Sequence, residues 1–160
     1  MKKAVYAGTF DPITYGHIDV IERATKIFDK IIIGVSNSPK QTLFSLEERI
    51  AMIEMIYQHN SKVSVQGFSS LLVDFVKSVS AKTIIRGVRA VSDFDYEFQL
   101  ALMNRNLNAE IDTLFLMPSE KYIFVSSSLV KEIAALGGDI SKLVPPVVQR
   151  RLIKKLNLKP

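Results

Sequence analysis

The stretch that decides the fold lies close to the N-terminus and reads Ala4-Val5-Tyr6-Ala7-Gly8-Thr9-Phe10-Asp11-Pro12-Ile13-Thr14-Tyr15-Gly16-His17. A short apolar run ends at a Gly-Thr step, a loop with Asp-Pro follows, and the residues after His17 have helical period. The pattern predicts a strand, a tight loop and a helix N-terminus. Such a junction suits a phosphate, because free backbone N–H groups and the helix dipole both point at it. We expect the rest of the chain to complete a phosphate-transfer site around this loop.

Length and charge set broad limits on the class of protein. With 160 residues, the chain is long enough for one domain with a real core, here taken as 1–160 with a helical C-terminal segment from about 145 to 160. Apolar residues make up 48% and charged residues 23%, as in ordinary globular proteins. The net charge of +5 suits anionic ligands such as nucleotides, and it equally fits a mildly basic surface with no special partner.

Several classes of function are excluded or disfavoured by composition. The chain has no cysteine, so disulfides, thiolate metal sites and thiol nucleophiles are excluded. The apolar run before Gly8 is too short for a signal peptide, and no stretch approaches the roughly 20 apolar residues of a membrane span. We therefore expect a cytoplasmic protein that neither spans nor binds a membrane.

Short β-branched runs alternate with longer segments of helical period. Runs such as Ile31-Ile32-Ile33 are typical of strands buried on both faces. The alternation predicts an α/β fold, a Rossmann-like doubly wound parallel sheet of about five strands with flanking helices. The predicted strands are Lys3–Ala7, Lys30–Val35, Val63–Gly67, Thr83–Arg86 and Thr113–Met117. The predicted helices are His17–Phe28, Leu46–Gln58, Leu71–Val79 and Asp93–Leu107, with two more after the Ser126–Ser128 triplet and after Pro145-Pro146.

In an open parallel sheet, ligands bind beyond the carboxyl ends of the strands. Four of the five predicted strand ends carry small polar or cationic residues, so we expect them to face one crevice. Those ends are Gly8-Thr9-Phe10, Ser36-Asn37-Ser38-Pro39-Lys40, Gly67-Phe68-Ser69-Ser70 and Arg86-Gly87-Val88-Arg89.

Arg86 and Arg89 flank a glycine at one of these ends. Glycine allows a ligand to approach the backbone, and guanidinium forks match phosphate oxygens. The alternative is that both arginines pair with the downstream carboxylates Asp93, Asp95 or Glu97. Their position at a strand end favours the ligand.

His17 and the serine triplet each have a functional and a plainer interpretation. A lone histidine at a helix start often caps its own helix, whereas the glycine before His17 favours a donor aimed at phosphate. Metal binding by His17 is disfavoured, since no histidine or cysteine partner is near. Ser126–Ser128 offers hydroxyls and N–H groups, although N-capping needs only one of the three.

Taken together, these residues resemble a known family. The motif Thr14-Tyr15-Gly16-His17 is similar to the T/H-x-G-H signature of the nucleotidyltransferase superfamily, and within that superfamily the chain resembles the bacterial phosphopantetheine adenylyltransferases. The resemblance runs from about residue 3 to residue 147 in the family's order and spacing. The further matching segments are Leu46-Glu47-Glu48-Arg49, Ile85-Arg86-Gly87-Val88-Arg89-Ala90, Asp95-Tyr96-Glu97-Phe98-Gln99-Leu100 and Ser126-Ser127-Ser128-Leu129-Val130-Lys131-Glu132.

The resemblance implies a reaction and its partners. ATP and 4′-phosphopantetheine would give dephospho-coenzyme A and pyrophosphate, with Mg²⁺ assisting, in the penultimate step of coenzyme A biosynthesis. It also implies a homohexamer, a dimer of trimers, with coenzyme A as a feedback ligand. No nucleic acid partner is expected.

The resemblance also assigns roles to residues. His17 would stabilise the transition state at the α-phosphate together with Thr9, while Lys40 and Arg86, again with Thr9, would hold the phosphate of phosphopantetheine. Leu72 would contact the pantetheine arm through its backbone. The positions expected to contact ATP are Thr9, Phe10, His17, Gly87, Val88, Arg89, Glu97, Tyr122, Ile123, Phe124, Val125, Ser126, Ser127 and Ser128.

Two other functions remain open on the residues alone. The same loop and histidine would serve a sister nucleotidyltransferase that uses nicotinamide mononucleotide or a sugar or alcohol phosphate as acceptor. A non-catalytic nucleotide or nucleic-acid binder could instead use the basic tail from Arg150 to Lys159, although no aromatic residues are interleaved there for base stacking.

Overall fold

Five parallel strands form the centre of the molecule, in the order β3-β2-β1-β4-β5. The structure is a computed structural model that describes residues 1–37 and 41–157, without the side chains of Val91 and Ser92. The strands are β1 (Lys3–Gly8), β2 (Lys30–Ser36), β3 (Val63–Phe68), β4 (Thr83–Gly87) and β5 (Asp112–Leu116). The helices described are α1 (Tyr15–Ala24), α2 (Leu46–Tyr57), α3 (Leu72–Ser78), α4 (Val91–Leu107), α5 (Ser127–Ala135) and α6 (Pro146–Lys155).

Side chains that alternate along the strands build a separate core on each face of the sheet. Tyr6 and Ile33 point into one core, which also takes buried side chains of α1, α2, α5 and α6. Val5 and Ile32 point into the other, which includes Val73 and Val76 of α3. Because helices cover both faces, the sheet is doubly wound. The predicted α/β Rossmann-like fold is confirmed.

Local sequence signals explain where the helices begin and end. Ser45 and Glu48 form a capping box at the start of α2, in which each side chain accepts a backbone N–H of the other residue, at 3.1 and 2.8 Å. The last described helix starts at Pro146, where the missing N–H costs nothing. Gly137, with φ of 77°, follows α5 and supplies the left-handed conformation that ends many helices.

The first helix differs from its prediction at both ends. It begins at Tyr15 rather than His17, because Thr14 is the N-cap and its hydroxyl accepts the N–H of His17. It ends at Ala24 rather than Phe28, and the chain then turns into β2 as the N–H of Asp29 donates to the Lys2 carbonyl at 2.9 Å. The other predicted elements lie within two residues of their observed bounds.

Candidate functional site

A cavity of about 310 Å³ opens beyond the carboxyl ends of β1 and β4. These neighbouring strands lead into connections on opposite sides of the sheet, which is the switch point where α/β sheets bind ligands. The N-termini of α1 and α5 also reach the cavity. Its lining residues are Tyr6, Ala7, Gly8, Phe10, Gly16, His17, Val20, Arg86, Gly87, Arg89, Glu97, Pro118, Val125, Ser126, Ser127 and Ser128.

The loop between β1 and α1 forms one wall of the cavity. Phe10 is buried in a left-handed conformation, with φ of 49°, which is uncommon for a residue other than glycine. Its ring packs edge-on against Tyr6 and against His17, with centroids 5.4 and 5.1 Å apart. This packing holds the loop in its strained conformation and leaves little freedom for the imidazole.

The histidine is both a helix cap and a cavity residue. The backbone N–H of Thr14 donates to Nδ1 of His17 at 3.1 Å. Because Nδ1 accepts this bond, the proton of the neutral ring lies on Nε2. Burial, reinforced by the charges of Arg89 and Arg86, lowers the pKa of His17 to about 4. The ring is therefore neutral near pH 7, and its Nε2–H is a donor for a ligand in the cavity.

Both arginines have carboxylate partners and both line the cavity, so the two interpretations of this pair coexist. Nε and Nη2 of Arg86 donate to Glu97 at 2.5 and 2.6 Å, and Nη1 donates to the Ala7 carbonyl at 2.9 Å. Arg89 pairs with Asp93 at 3.2 Å and also donates to the Val125 carbonyl at 3.3 Å. A guanidinium has five N–H groups. Arg86 therefore keeps two for a ligand.

The three serines after residue 125 do different things. The hydroxyl of Ser126 caps α5 by accepting the N–H of Leu129 at 3.1 Å. The hydroxyl of Ser127 donates to the Pro12 carbonyl at 2.7 Å, which ties α5 to the first loop. All three serines line the cavity. The triplet is thus more than an N-cap, and it brings a second helix N-terminus to the site.

Most of the predicted site residues, but not all, line this cavity. Thr9, Leu72, Val88, Tyr122, Ile123 and Phe124 do not. Leu72 packs against the core that contains Val73 and Val76, and Phe124 is 78% exposed. Lys40 lies outside the described residues. The predicted residues that do line the cavity are Phe10, His17, Arg86, Gly87, Arg89, Glu97, Val125, Ser126, Ser127 and Ser128.

The sequence predicts that four strand ends share one crevice, and the cavity described above is bounded by those of β1 and β4. Residues 38–40 of the predicted β2 end lie outside the described residues. Among the described residues, those that follow β2 and β3 do not line the cavity. The buried Arg49 lies where β2 ends, and its Nη1 donates to the carbonyls of Ser36 and Thr9 at 3.0 and 2.6 Å. These bonds join the β2 end to the first loop and leave the open space on the β4 side.

Several cavity residues, chiefly small or apolar ones, are absent from the contact residues named from the sequence. A Cβ at Gly16 would lie 3.4 Å from the Val125 carbonyl oxygen, an ordinary van der Waals distance. Tyr6 is an ordinary inward-facing strand residue by pattern, and nothing local distinguishes it. The residues concerned are Tyr6, Ala7, Gly8, Gly16, Val20 and Pro118.

A metal would find few carboxylates here. No group of three His, Asp or Glu side chains in residues 1–37 and 41–157 is arranged to hold a metal ion. Glu97 is the carboxylate that lines the cavity, and it is engaged by Arg86. A divalent cation at this site would therefore take most of its oxygen ligands from a bound polyphosphate and from water.

Known proteins similar to this chain agree with the geometry. A phosphopantetheine adenylyltransferase of Cupriavidus taiwanensis and one of Geotalea daltonii are each 54% identical to it, over 98% of both chains. A crystal structure described as a nicotinate-nucleotide adenylyltransferase of Vibrio parahaemolyticus shares the fold over 100% of this chain and 98% of its own, with a TM-score of 0.72 and 18% identity. The cytidylyltransferase-like family model matches residues 5–133, from β1 into α5. The chain therefore belongs to the phosphopantetheine adenylyltransferases, within the cytidylyltransferase-like nucleotidyltransferases.

Proposed function

We propose that this chain transfers the adenylyl group of ATP to 4′-phosphopantetheine, giving dephospho-coenzyme A and pyrophosphate, the penultimate step of coenzyme A biosynthesis. The observation that carries the proposal is the 54% identity, over 98% of both chains, to relatives named for this activity. The cavity supports it, because two arginines, a neutral histidine donor and two helix N-termini suit a polyphosphate.

The acceptor supplies its own nucleophile. A phosphate monoester has a second pKa of about 6, so it is largely dianionic near neutral pH. One of its oxygens attacks the α-phosphorus of ATP in line, the bond to the oxygen that bridges to the β-phosphorus breaks, and pyrophosphate leaves with that electron pair. No general base is required. Catalysis then rests on positioning and on stabilising charge at the α-phosphate.

His17 is the proposed stabiliser of that charge. Its Nε2–H would donate to an α-phosphate oxygen, and the ring stays neutral because burial lowers its pKa to about 4. The Thr14 bond to Nδ1 fixes both the tautomer and the ring orientation. A preorganised donor of this kind contributes roughly 3 to 4 kcal/mol to the transition state.

The acceptor phosphate would lie between Arg86 and Lys40, with Thr9 shared between the two substrates. The two N–H groups that Arg86 keeps beyond its bonds to Glu97 and Ala7 support this role. Leu72 would contact the pantetheine arm through its backbone. The roles of Lys40 and Leu72 rest on family likeness.

ATP would occupy the side of the cavity bounded by the β4 end and the N-terminus of α5. The bond from Arg89 to the Val125 carbonyl supports this, because it joins the two segments that would surround the nucleotide. Tyr122 stacks on Tyr15 with centroids 5.8 Å apart, so this contact supports the segment that leads into α5. The proposed ATP contacts are Thr9, Phe10, His17, Gly87, Val88, Arg89, Glu97, Tyr122, Ile123, Phe124, Val125, Ser126, Ser127 and Ser128.

Mg²⁺ is part of the proposal. Bound to the phosphates of ATP, it would neutralise charge on the polyphosphate and favour pyrophosphate as leaving group. Glu97 is the carboxylate of the cavity that could serve as a metal ligand. Because it is paired with Arg86, we expect the metal to be held mainly through phosphates and water.

Assembly, regulation and location complete the proposal. Helix α4 exposes a set of large apolar side chains, which supports a homohexamer in which they would be covered. Coenzyme A is proposed as a feedback ligand, and residues 1–160 as one domain in the cytoplasm. No helix in the described part of the chain combines the length and apolarity that a bilayer crossing needs. The exposed α4 side chains are Phe94, Tyr96, Phe98, Leu102, Met103 and Leu107.

A panel of acceptors tests the proposed reaction. The protein is incubated with MgATP and 4′-phosphopantetheine, nicotinate mononucleotide, nicotinamide mononucleotide or glycerol 3-phosphate, and pyrophosphate release and the adenylylated product are measured. Among these acceptors, we expect only 4′-phosphopantetheine to give pyrophosphate and an adenylylated product. A higher kcat/KM with another acceptor would replace this substrate, and no turnover with any of them would reject the enzyme class.

A further inference from the structure

Two buried charged residues that take no part in the proposed chemistry form hydrogen bonds to the same short segment. Asp11 and Arg49 are 4% and 2% exposed. The Asp11 carboxylate accepts the N–H of Leu43 through Oδ2 and that of Phe44 through Oδ1, both at 2.9 Å. Nε of Arg49 donates to the Phe44 and Ser45 carbonyls, both at 3.2 Å. The segment Leu43–Ser45 is therefore held from both sides of its backbone.

The same two residues reach the first loop and the nucleotide side. Asp11 belongs to that loop, and Arg49 donates to the Thr9 carbonyl two residues earlier, at 2.6 Å. Lys131 of α5 donates to Oδ2 of Asp11 at 2.9 Å, beside the bond from Ser127 to Pro12. The contacts of Asp11 and Arg49 thus join three elements around the cavity: the β1–α1 loop, the connection between β2 and α2, and α5.

Such buried charges are costly unless they are fully paired. Burial raises the pKa of Asp11, but the hydrogen bonds from Lys131, Leu43 and Phe44 outweigh it and the pKa is lowered. The carboxylate is thus held ionised by bonds from Lys131 and from two backbone N–H groups, and an amide could not reproduce this set. An asparagine has one acceptor oxygen, and its NH₂ group would face a backbone N–H.

We propose that Asp11 and Arg49 are positioning residues that hold Leu43–Ser45 in register with the first loop, and so align the acceptor phosphate with the α-phosphate. The assignment rests on the proposed function, since it places the acceptor between the first loop and the chain that leads into α2. A misplacement of about 1 Å between reacting groups costs up to roughly 100-fold in rate. The two residues touch neither substrate themselves.

Variants that keep shape but change bonding test the proposal. In Asp11→Asn, we expect kcat/KM for phosphopantetheine to fall about 10- to 100-fold, with a much smaller change in KM for ATP. Arg49→Lys keeps the charge but loses the fork, and the same split is expected. It also keeps the proposal testable if Asp11→Asn does not fold.

The double variant Asp11→Asn/Lys131→Met distinguishes two roles of Asp11: hydrogen bonding to Leu43 and Phe44, and neutralising the charge of Lys131. If Asp11 served only to neutralise Lys131, removing both charges would restore the wild-type kcat/KM, and the proposal would be overturned. We expect the double variant to stay impaired, because the N–H groups of Leu43 and Phe44 still lack their carboxylate. Ile53→Val, in the core face of the same helix as Arg49, controls for lost stability alone. If it reproduces the KM split at a matched loss of Tm, the positioning role is rejected.

A measurement without substrates keeps this test separate from the proposed reaction. Hydrogen exchange by mass spectrometry of unliganded wild type and Asp11→Asn follows the peptide that contains Leu43 and Phe44. We expect its protection to fall in the variant while the core strands stay protected. Unchanged protection of that peptide would overturn the proposal that Asp11 holds this segment. An inactive wild type with the expected exchange pattern would instead reject the reaction alone.

Discussion

The carboxyl ends of β1 and β4 and those of β2 and β3 lie along one edge of the same sheet, but only the first pair opens into the cavity in the described residues. At β1 and β4 the strands end in Gly8 and Gly87, and the side chains beside them leave space. At β2 the buried Arg49 bonds to the Ser36 and Thr9 carbonyls and joins the two connections.

Aromatic packing consolidates the closed half. The Phe68 and Phe75 rings stack with centroids 4.5 Å apart under β2 and β3, in the room that Gly34 provides. Topology therefore determines the edge at which a ligand can bind, whereas side-chain volume and backbone bonding determine which part of that edge is open. We therefore expect substitutions of cavity residues to change turnover, and substitutions in the packing of Gly34, Phe68 and Phe75 to change stability.

The largest effect is expected at His17 in the open half. His17→Asn keeps an acceptor for the Thr14 N–H but removes the Nε2 donor, so kcat should fall about 100- to 1000-fold while Tm changes little. His17→Gln places an amide N–H near the Nε2 position and should retain more activity. Steady-state kinetics with thermal unfolding of each variant checks both statements. A higher kcat in His17→Asn than in His17→Gln would show that the cap, not the donor, matters.

Acid should destabilise the protein through the same residue. The folded pKa of His17 is about 4, below its ordinary value of 6.5, so between these values the unfolded chain binds a proton that the folded chain does not. Stability is therefore complete above pH 6.5 and falls as the pH drops towards 4, by about 2 to 3 kcal/mol at pH 4.5. Urea unfolding at pH 7 and 4.5 measures it. The drop should shrink in His17→Asn, and an equal drop there would assign it to other groups.

Arg86→Ala should separate acceptor binding from nucleotide binding. It removes the proposed phosphate contact and leaves Glu97 without its partner, so KM for phosphopantetheine should rise about tenfold or more, in line with roughly 1.5 to 3 kcal/mol for a charged hydrogen bond. Initial-rate kinetics with each substrate varied in turn tests this. Glu97→Gln is the matched control for the broken pair. An unaltered acceptor KM in Arg86→Ala would remove this residue from the acceptor site.

The smallest catalytic effect is expected at Gly34, in the core that packs around Phe68 and Phe75. A Cβ at Gly34 would lie 2.6 Å from Cε1 of Phe75, so Gly34→Ala overpacks this core and should cost about 1 to 3 kcal/mol of stability. We expect Tm to fall by several degrees, with kcat and both KM values near wild type. Differential scanning calorimetry and kinetics on one preparation decide the point. A selective loss of kcat would show that the packing of Phe68 and Phe75 also sets the reaction geometry.

Much of the fold could be predicted because its signals are local. Runs such as Ile31-Ile32-Ile33 and the Ser45–Glu48 capping box involve residues within a few positions of one another. The cavity could be placed at the strand ends, and the candidate roles of His17, Arg86 and Ser126 follow from the same logic together with family likeness.

The rest depends on contacts between distant parts of the chain. Arg49 bonds to a carbonyl 40 positions away, and Lys131 meets Asp11 across 120 positions, so no local pattern indicates either one. The role of Nδ1 of His17 depends on α1 beginning at Tyr15, two residues before the predicted start. Which of the described strand ends line the cavity depends on such long-range bonds, and a local pattern cannot indicate them.

The edge-on packing of His17 against Phe10 makes the site visible to NMR spectroscopy. The chain has two histidines, and His59 is exposed just after α2 whereas His17 is half-buried beside an aromatic ring. Ring currents from Phe10 should displace the imidazole resonances of His17 from those of His59. The His17 signals, resolved from those of His59, would then report the occupancy of the cavity as nucleotide is titrated.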